Sequence, residues 1–418
     1  MTASATSPSR LRHSILRLLS GNVVFAIGQF AIVIALAKVA GVEAVGIYAL
    51  ANAITAPIYG FASLGLRPSL STDARHSHTL SSYVRLLAHA SGLALIGCII
   101  GSLVLDANST LFWCIVGLSV ARIAENGSVL IYGLHQKHEQ MSLIGRSLAL
   151  RGAGGLCVVV ICLLIAPERI EFAVLGLGAA WLSALLCHDI LCARDAARVQ
   201  RELELAPDTV THDDELSLLR VVWPIGALAL VTTLILNVPR YAVEYFAGTD
   251  SLGYFAAIMQ FAVAGTVIVN SIVQAVVPRL SKLFISNRKA YLQLLFRALA
   301  VCFGIGLAGI LVAVFLGEWI LRLVYTEAFA QHADTLIVAM IYSLFLYLSV
   351  TLGSAMSAMR SFRSQFFIGC GTLTGTALGA LFFVPKFGII GGAMALITGV
   401  GVKILLQTGT IVALLRRA

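Results

Sequence analysis

Long apolar stretches alternate with short polar breaks along the whole chain of 418 residues. Most stretches reach about 20 residues or more, which is enough to cross the hydrocarbon core of a bilayer as an α-helix. The pattern predicts an all-α, polytopic membrane helix bundle with about twelve transmembrane helices, and ten is the alternative. The predicted spans cover residues 18–38, 44–66, 84–105, 110–133, 146–166, 170–191, 221–246, 252–277, 296–317, 333–356, 365–385 and 389–413.

The composition rules out an ordinary soluble enzyme. Apolar residues make up 59% of the chain and charged residues 12%, against roughly 25% charged in a soluble domain. Too few polar side chains remain to cover a water-exposed surface. The longest polar interval, residues 192–217, leaves no room for an extramembrane domain. The eight cysteines include no Cys-x-x-Cys pair, and we expect no disulfide, metal site or other cofactor.

The net charge of +9 is distributed unevenly between the two sides of the predicted bundle. Most of the 29 Lys and Arg residues fall in loops on the side that holds both termini, and we assign Arg151 to this group. Because positively charged loops stay in the cytoplasm, both termini are predicted to be cytoplasmic. The crossings are then even in number, and the charge requires no nucleic-acid partner.

A short internal repeat divides the chain almost in half. Residues 40–49, Ala-Gly-Val-Glu-Ala-Val-Gly-Ile-Tyr-Ala, match residues 247–256, Ala-Gly-Thr-Asp-Ser-Leu-Gly-Tyr-Phe-Ala, and residues 172–180 match 387–395 more weakly. Spans that are six crossings apart enter the membrane from the same side. We therefore predict two six-helix lobes, residues 1–205 and 206–418, related by a parallel repeat along the membrane normal. This arrangement favours a transporter over a channel.

Glycines recur every four residues in two predicted spans. Gly97 and Gly101 lie in the third span, and Gly371, Gly375 and Gly379 lie in the eleventh. Such spacing permits close helix packing. We predict helix contacts at both sets and no role in chemistry.

Arg122 lies near the middle of the fourth predicted span, where a charge costs several kcal/mol and is a functional candidate by default. Glu125 is three residues further on, so the two side chains share a helix face and can pair. Two roles fit Arg122. It is either part of a structural ion pair or a bidentate ligand for phosphate.

The seventh span contains a second group, Asn237, Pro239, Arg240 and Glu244. Pro239 removes one helix hydrogen bond and is expected to bend the span, and bent helices in transporters line substrate cavities. Arg240 therefore either lines a cavity or extends to the outer lipid headgroups. Glu244, four residues later, is its expected partner.

Lys403 lies within the last span, either lining a cavity or extending toward the cytoplasmic headgroups. When Lys403 is included, basic residues outnumber acidic ones among the few intramembrane charges, which indicates an anionic cargo. The sequence contains no phosphate-binding loop of the G-x-x-x-x-G-K-[ST] type and no H-E-x-x-H zinc motif. A primary pump and an intramembrane zinc protease are therefore not supported.

Four tracts resemble those of bacterial O-antigen and exopolysaccharide flippases, a family in the multidrug, oligosaccharidyl-lipid and polysaccharide exporter superfamily. The similarity extends over essentially the whole chain. The tracts are residues 40–49, Asn237-Val238-Pro239-Arg240-Tyr241 before Gly248, Tyr132-Gly133-Leu134-His135-Gln136-Lys137, and Leu321-Arg322-Leu323-Val324-Tyr325-Thr326-Glu327-Ala328-Phe329. At Tyr325-Thr326 the family usually has Gly or a bulkier polar residue, so we attach no role to these two positions.

The resemblance implies a multi-pass flippase of the bacterial cytoplasmic membrane. It would move undecaprenyl-pyrophosphate-linked oligosaccharide to the outer leaflet by alternating access, for polysaccharide biosynthesis. Arg122, Arg240 and Lys403 would meet pyrophosphate or acidic sugar, and the prenyl tail would stay in lipid. Coupling to a proton or sodium gradient through Glu125 or Glu244 is a further hypothesis. The resemblance also suggests partners among the pathway's polymerases and glycosyltransferases, and no covalent chemistry is expected, so no enzyme is predicted.

Two other functions remain open from the sequence. A multidrug exporter of the same superfamily would carry organic cations, and we would expect its buried carboxylates to outnumber its buried bases. A membrane-embedded glycan polymerase or ligase would need a sizeable outer loop to hold its acceptor. The predicted outer loops are short, and both alternatives rank below the flippase.

Overall fold

The computed structural model describes residues 8–73, 77–104, 107–204, 214–359 and 362–417. Within these ranges the fold is all-α, as the apolar pattern predicted. Two short π-helical segments, Leu36–Ala40 and Leu185–Asp189, interrupt longer helices. The α-helices are α1 (Pro8–Ala35), α2 (Gly41–Ala62), α3 (Leu66–Thr72), α4 (Leu80–Val104), α5 (Ser109–Lys137), α6 (Met141–Ile165), α7 (Ile170–Ala184), α8 (Ile190–Glu204), α9 (Glu215–Ala247), α10 (Thr249–Ala264), α11 (Thr266–Ser286), α12 (Arg288–Val324), α13 (Glu327–Ala330), α14 (Ala333–Ala358) and α15 (Phe362–Arg417).

Ten helical segments in the described part of the chain are long and apolar enough to cross a membrane. Two of them, Leu16–Thr72 and Ser364–Leu415, contain 57 and 52 residues. Since one crossing needs about 20 residues, each is long enough to cross twice. The ten segments therefore allow for twelve crossings in a multi-pass membrane protein.

Helix α15 turns back on itself at Gly388, whose φ of 54° lies in the left-handed region that favours glycine. Gly375 and Gly379 in its first half lie against Val402 and Thr398 in its second half. The two halves thus pack side by side, as the glycine spacing of this span predicted. Two predicted spans, the eleventh and the twelfth, form this hairpin.

The chain folds as two compact units. The first contains Met1–Ala40 and Ala51–Leu230, and the second contains Gly41–Leu50 and Val231–Ala418. In the first unit α1 packs on α6, and α5 packs on α7. In the second, α14 packs on both α12 and α15. The two units divide within α9. The predicted boundary between residues 205 and 206 lies outside the described residues and stays a prediction.

The repeat that the sequence predicted has the same backbone conformation in both copies. Gly41 opens α2 with a φ of 88°, and Gly248 precedes α10 with a φ of 86°. A side chain would strain the backbone in this conformation, which explains why glycine occupies both positions. Each glycine marks a helix start at the same point of its repeat.

The two repeat copies also contact each other, because residues 41–50 belong to the second unit. A Cβ atom on Gly46 would collide with the Thr249 carbonyl, and one on Gly253 would collide with the Val42 carbonyl. The repeat aligns Gly46 with Gly253 and Val42 with Thr249. The same contact is therefore made twice with the copies exchanged, as at a two-fold axis.

The close approach of α1 and α6 organises the first unit. A Cβ on Gly28 would collide with the backbone of Gly152, and a Cβ on Gly152 would lie 2.6 Å from the Phe25 Cα. The sequence prediction had placed such packing at Gly97 and Gly101. That prediction is wrong, because a Cβ at either position would meet no atom within 4 Å among the described residues.

Replacing Gly152 by alanine should destabilise the protein by about 1–3 kcal/mol, because α1 and α6 must separate to admit the methyl group. Gly154, two residues along the same helix, is the matched control, since a Cβ there meets no described atom within 4 Å. Gly154→Ala should be neutral or slightly stabilising. The thermal unfolding midpoint of purified protein measures both effects, and equal midpoints for the two variants would contradict the packing described here.

Candidate functional site

The described residues of the first unit contain a charged cluster that begins on α5. Arg122 and Glu125 lie one helical turn apart, and Arg122 Nη1 donates to Glu125 Oε2 at 2.6 Å. Arg122 Nη2 donates to the Asn52 side-chain oxygen on α2 at 2.7 Å. The i,i+3 spacing that the sequence predicted thus produces an ion pair, and α2 supplies a second acceptor for the guanidinium.

Arg151 on α6 is the third charged member of this cluster. Its Nη2 lies 3.1 Å from Glu125 Oε1, so each carboxylate oxygen of Glu125 faces a different arginine. The Arg151 side chain is 1% exposed, whereas those of Arg122 and Glu125 are 26% and 22% exposed. The cluster therefore has a buried end at Arg151 and a more open end at Arg122.

Aromatic side chains surround the buried guanidinium of Arg151. The guanidinium carbon lies 4.4 Å from the Trp181 ring centroid and 5.2 Å from that of Phe25. Arg151 Nη1 also lies 3.5 Å from the Tyr132 hydroxyl, which in turn is 2.5 Å from Ser147 Oγ. Cation–π contacts are worth about 2 kcal/mol when desolvated, so the rings replace part of the lost hydration.

The cluster is suited to holding an anion at its open end. Two arginines and one glutamate leave one positive charge in excess. Arg122 uses two of its five N–H donors on Glu125 and Asn52, and no other acceptor for it exists among the described residues. The remaining donors have the planar geometry that binds phosphate or carboxylate in a bidentate manner.

The second unit holds the other predicted site residues, and there the predicted pairing differs. Arg240 Nη1 donates to the Asn237 side-chain oxygen at 3.2 Å. Glu244 Oε1 accepts from the Thr249 hydroxyl at 2.8 Å, while its Oε2 is buried and has no hydrogen-bond partner in the described structure. Spacing alone had assigned Glu244 to Arg240.

Lys403 and Pro239 complete the predicted set. Lys403 lies in the second half of α15, is half-buried, and has no acceptor among the described residues. Helix α9 continues through Pro239, which is itself buried. The cavity-lining roles of Arg240, Lys403, Asn237 and Pro239 remain predictions.

Arg151 is the residue that the sequence prediction misassigned. It had been grouped with the cytoplasmic topology residues, yet it is the largest of the fully buried side chains. The sequence did indicate that Arg151 is an intramembrane charge, because it lies five residues inside the predicted span 146–166. An arginine at that depth belongs among the intramembrane charges.

The sequence matches the polysaccharide biosynthesis protein family over residues 11–284. The chain belongs to this family. The family assignment agrees with the tracts that suggested it, and several of those tracts lie inside the matched range. A relative, the capsular polysaccharide biosynthesis protein CapF of Staphylococcus aureus, is 24% identical over 376 residues, which cover 90% of this chain and 92% of CapF.

Solved structures with the same fold include two kinds of membrane protein. The lipid II flippase MurJ in an inward closed conformation matches with a TM-score of 0.71 and 13% identity, covering 95% of this chain and 87% of MurJ. An inward-facing multidrug resistance transporter of the MATE family, in the MOP superfamily, matches with a TM-score of 0.69 and 13% identity, covering 96% and 99%. These similarities concern the fold, which confirms the predicted two-lobe helical architecture.

Arg151→Met should destabilise the protein by about 3–5 kcal/mol, because it leaves the buried side of Glu125 without its cation. The combined variant Arg151→Met/Glu125→Gln should recover part of this loss and give a coupling of about 1–3 kcal/mol between the two positions. Thermal unfolding of the unaltered protein, of Arg151→Met, of Glu125→Gln and of the combined variant measures this coupling. Arg146→Met, an exposed position on the same helix, is the control, and strictly additive effects would contradict the ion pair.

Proposed function

We propose that this protein is a flippase for lipid-linked oligosaccharide, with undecaprenyl-pyrophosphate-linked repeat units as its cargo. It would move them across the bacterial cytoplasmic membrane by alternating access, for polysaccharide biosynthesis. Family membership supports the pathway. The shared fold with a lipid II flippase supports the reaction class.

The observation that carries the proposal is the excess positive charge at Arg122. Its guanidinium is partly exposed and keeps free donors among the described residues, while Arg151 faces Glu125 from the buried side. A pyrophosphate presents several anionic oxygens that match these donors. Arg240 and Lys403 would provide further positive charge along the path.

The proposed topology follows from the distribution of basic residues. Both termini would be cytoplasmic, and the prenyl tail of the cargo would stay in lipid while the phosphorylated end crosses. Polymerases or glycosyltransferases of the same pathway would act before and after this step. The protein itself would form and break no covalent bond.

The multidrug exporter is the main alternative, because MATE transporters share the fold. An exporter of organic cations would be expected to keep carboxylates in excess. Around Glu125 the arginines are in excess instead, which favours an anionic cargo. A glycan polymerase or ligase is less well supported, because short connections such as residues 166–169 offer little surface to hold an acceptor.

Arg122→Ala and Arg240→Ala should each lower surface polysaccharide about tenfold at unchanged protein level. That is the loss expected when a charge-assisted contact of about 1.5–3 kcal/mol disappears. The measurement is complementation of a deletion strain, with quantified polysaccharide and immunoblotted protein. Arg146→Ala and Arg279→Ala are exposed-arginine controls. Normal polysaccharide from both test variants would remove the site assignment.

We further propose that Glu244, rather than Glu125, is the carboxylate that couples transport to a proton or sodium gradient. Both oxygens of Glu125 face arginines, whereas Glu244 Oε2 is buried without a partner in the described structure. Glu244→Gln should abolish the dependence of vesicle transport on an imposed gradient, and Glu125→Gln should preserve it at a reduced rate. Transport by the unaltered protein that ignores both gradients would end this proposal.

A further inference from the structure

Helix α8 carries a row of arginines that the proposed transport path does not use. Arg194, Arg198 and Arg201 are all exposed, and their spacing of four and three residues places them on one face of the helix. Ala193 and Ala196 on the opposite face are buried. Helix α8 is therefore amphipathic, with a strongly basic outer face.

This basic face borders an apolar groove in the first unit. The groove has a volume of about 440 Å³ and lies between α8, the start of α4 and the last turns of α5. Leu130, Leu134 and Ala193 form much of its floor and belong to one buried hydrophobic cluster, against which the partly buried Leu80 packs. The three arginines and Glu202 form its polar edge.

The polar edge has three arginines and one glutamate, so its net charge is positive. Arg198 pairs with Glu202 at 3.3 Å. Arg194 and Arg201 have no acceptor among the described residues. Two guanidinium groups thus border an apolar floor without a protein partner in the described part of the chain.

The groove is preformed, because side chains fasten α8 to α4. Glu204 Oε1 accepts a hydrogen bond from the Leu80 backbone N–H at 2.9 Å and another from Gln200 Nε2 at 2.8 Å. Gln200 itself is fully buried. These bonds fix the far end of α8 against the first turn of α4, so a ligand would need little ordering of the protein.

Helix α8 has exposed apolar side chains outside its buried face, which indicates that it lies at a lipid surface. Leu191, Val199 and Leu203 are each more than 40% exposed. An amphipathic helix that combines such residues with a basic face lies in the headgroup region of a membrane. Basic pockets between helices at that depth attract the phosphates of anionic lipids.

We propose that this groove is a binding site for an anionic phospholipid of the bilayer. An acyl chain lies on the floor formed by α4, α5 and α8, and the phosphate is held by Arg194 and Arg201. The charge complementarity selects an anionic over a zwitterionic headgroup, and the apolar floor selects a lipid over a free phosphate. The site is separate from the Arg122 cluster and does not depend on the cargo.

The test is native mass spectrometry of the full chain with phosphatidylglycerol and phosphatidylcholine as probes. The unaltered protein should retain phosphatidylglycerol at least about tenfold more strongly than phosphatidylcholine, since each arginine near a surface contributes about fivefold. The variant Arg194→Gln/Arg198→Gln/Arg201→Gln should lose this preference. The control Arg146→Gln/Arg279→Gln/Arg297→Gln removes the same charge from exposed positions elsewhere and should keep it.

Ala197→Phe tests the floor without changing charge. Ala197 lines the groove, so the added ring should lower phosphatidylglycerol retention several-fold. Equal retention of both lipids by the unaltered protein, or equal losses in the two arginine variants, would overturn the proposal. Unchanged phosphatidylglycerol retention by the Ala197→Phe protein would also overturn it, as would displacement of phosphatidylglycerol by inorganic phosphate alone. Circular dichroism and size-exclusion chromatography identify any variant that fails to fold, and for such a variant the single change Arg201→Gln should still lower retention about fivefold.

Discussion

The burial of the Arg151 guanidinium is the constraint on which the first unit depends. A buried charge in a membrane protein costs several kcal/mol unless it is paired. Here one carboxylate, two aromatic faces and a tyrosine hydroxyl replace water around it. These groups come from α1, α5 and α7, so three helices must converge on α6. The position of one side chain therefore fixes how four helices pack.

Small residues make this convergence feasible. Gly152 is adjacent to Arg151 and brings the backbone of α1 close enough for Phe25 to reach the guanidinium. Gly155 leaves room for the Trp181 side chain of α7, because a Cβ there would lie 2.9 Å from the Trp181 indole nitrogen. Close backbone approach through glycine is a common source of stability between membrane helices. In this unit it also determines where the aromatic faces stand relative to the charge.

The sequence predicted contacts that are local and missed those that depend on the register between helices. The Arg122–Glu125 pair follows from one helical turn, and the paired helix starts at Gly41 and Gly248 follow from the repeat. The depth of Arg151 in its predicted span marks it as an intramembrane charge, but its pairing depends on the helix register, because its partner Glu125 is 26 residues away in sequence. Glycine spacing alone was equally ambiguous, since the predicted packing occurs at Gly375 and Gly379 within α15 but not at Gly97 and Gly101 among the described residues.

Glu244 illustrates a second limit of local reasoning. Its spacing to Arg240 is favourable on an uninterrupted helix, but α9 ends at Ala247, three residues later. The next helix begins at Thr249, whose hydroxyl donates a hydrogen bond to the Glu244 carboxylate. Spacing predicts side-chain pairs less well near a helix end, because residues that follow the helix can provide other partners.

The solved structures that share this fold include a lipid II flippase and a multidrug resistance transporter, so the fold alone does not determine the cargo. The asymmetry of the cluster is informative here. If Arg122 and Glu125 formed an isolated pair, their net charge would be zero, and an anion would gain little by approaching. Arg151 faces Glu125 from a position that is 1% exposed and therefore cannot itself meet a cargo. Its charge offsets that of the carboxylate, so Arg122, the more exposed arginine, is the group that would attract a phosphorylated cargo under the proposed function.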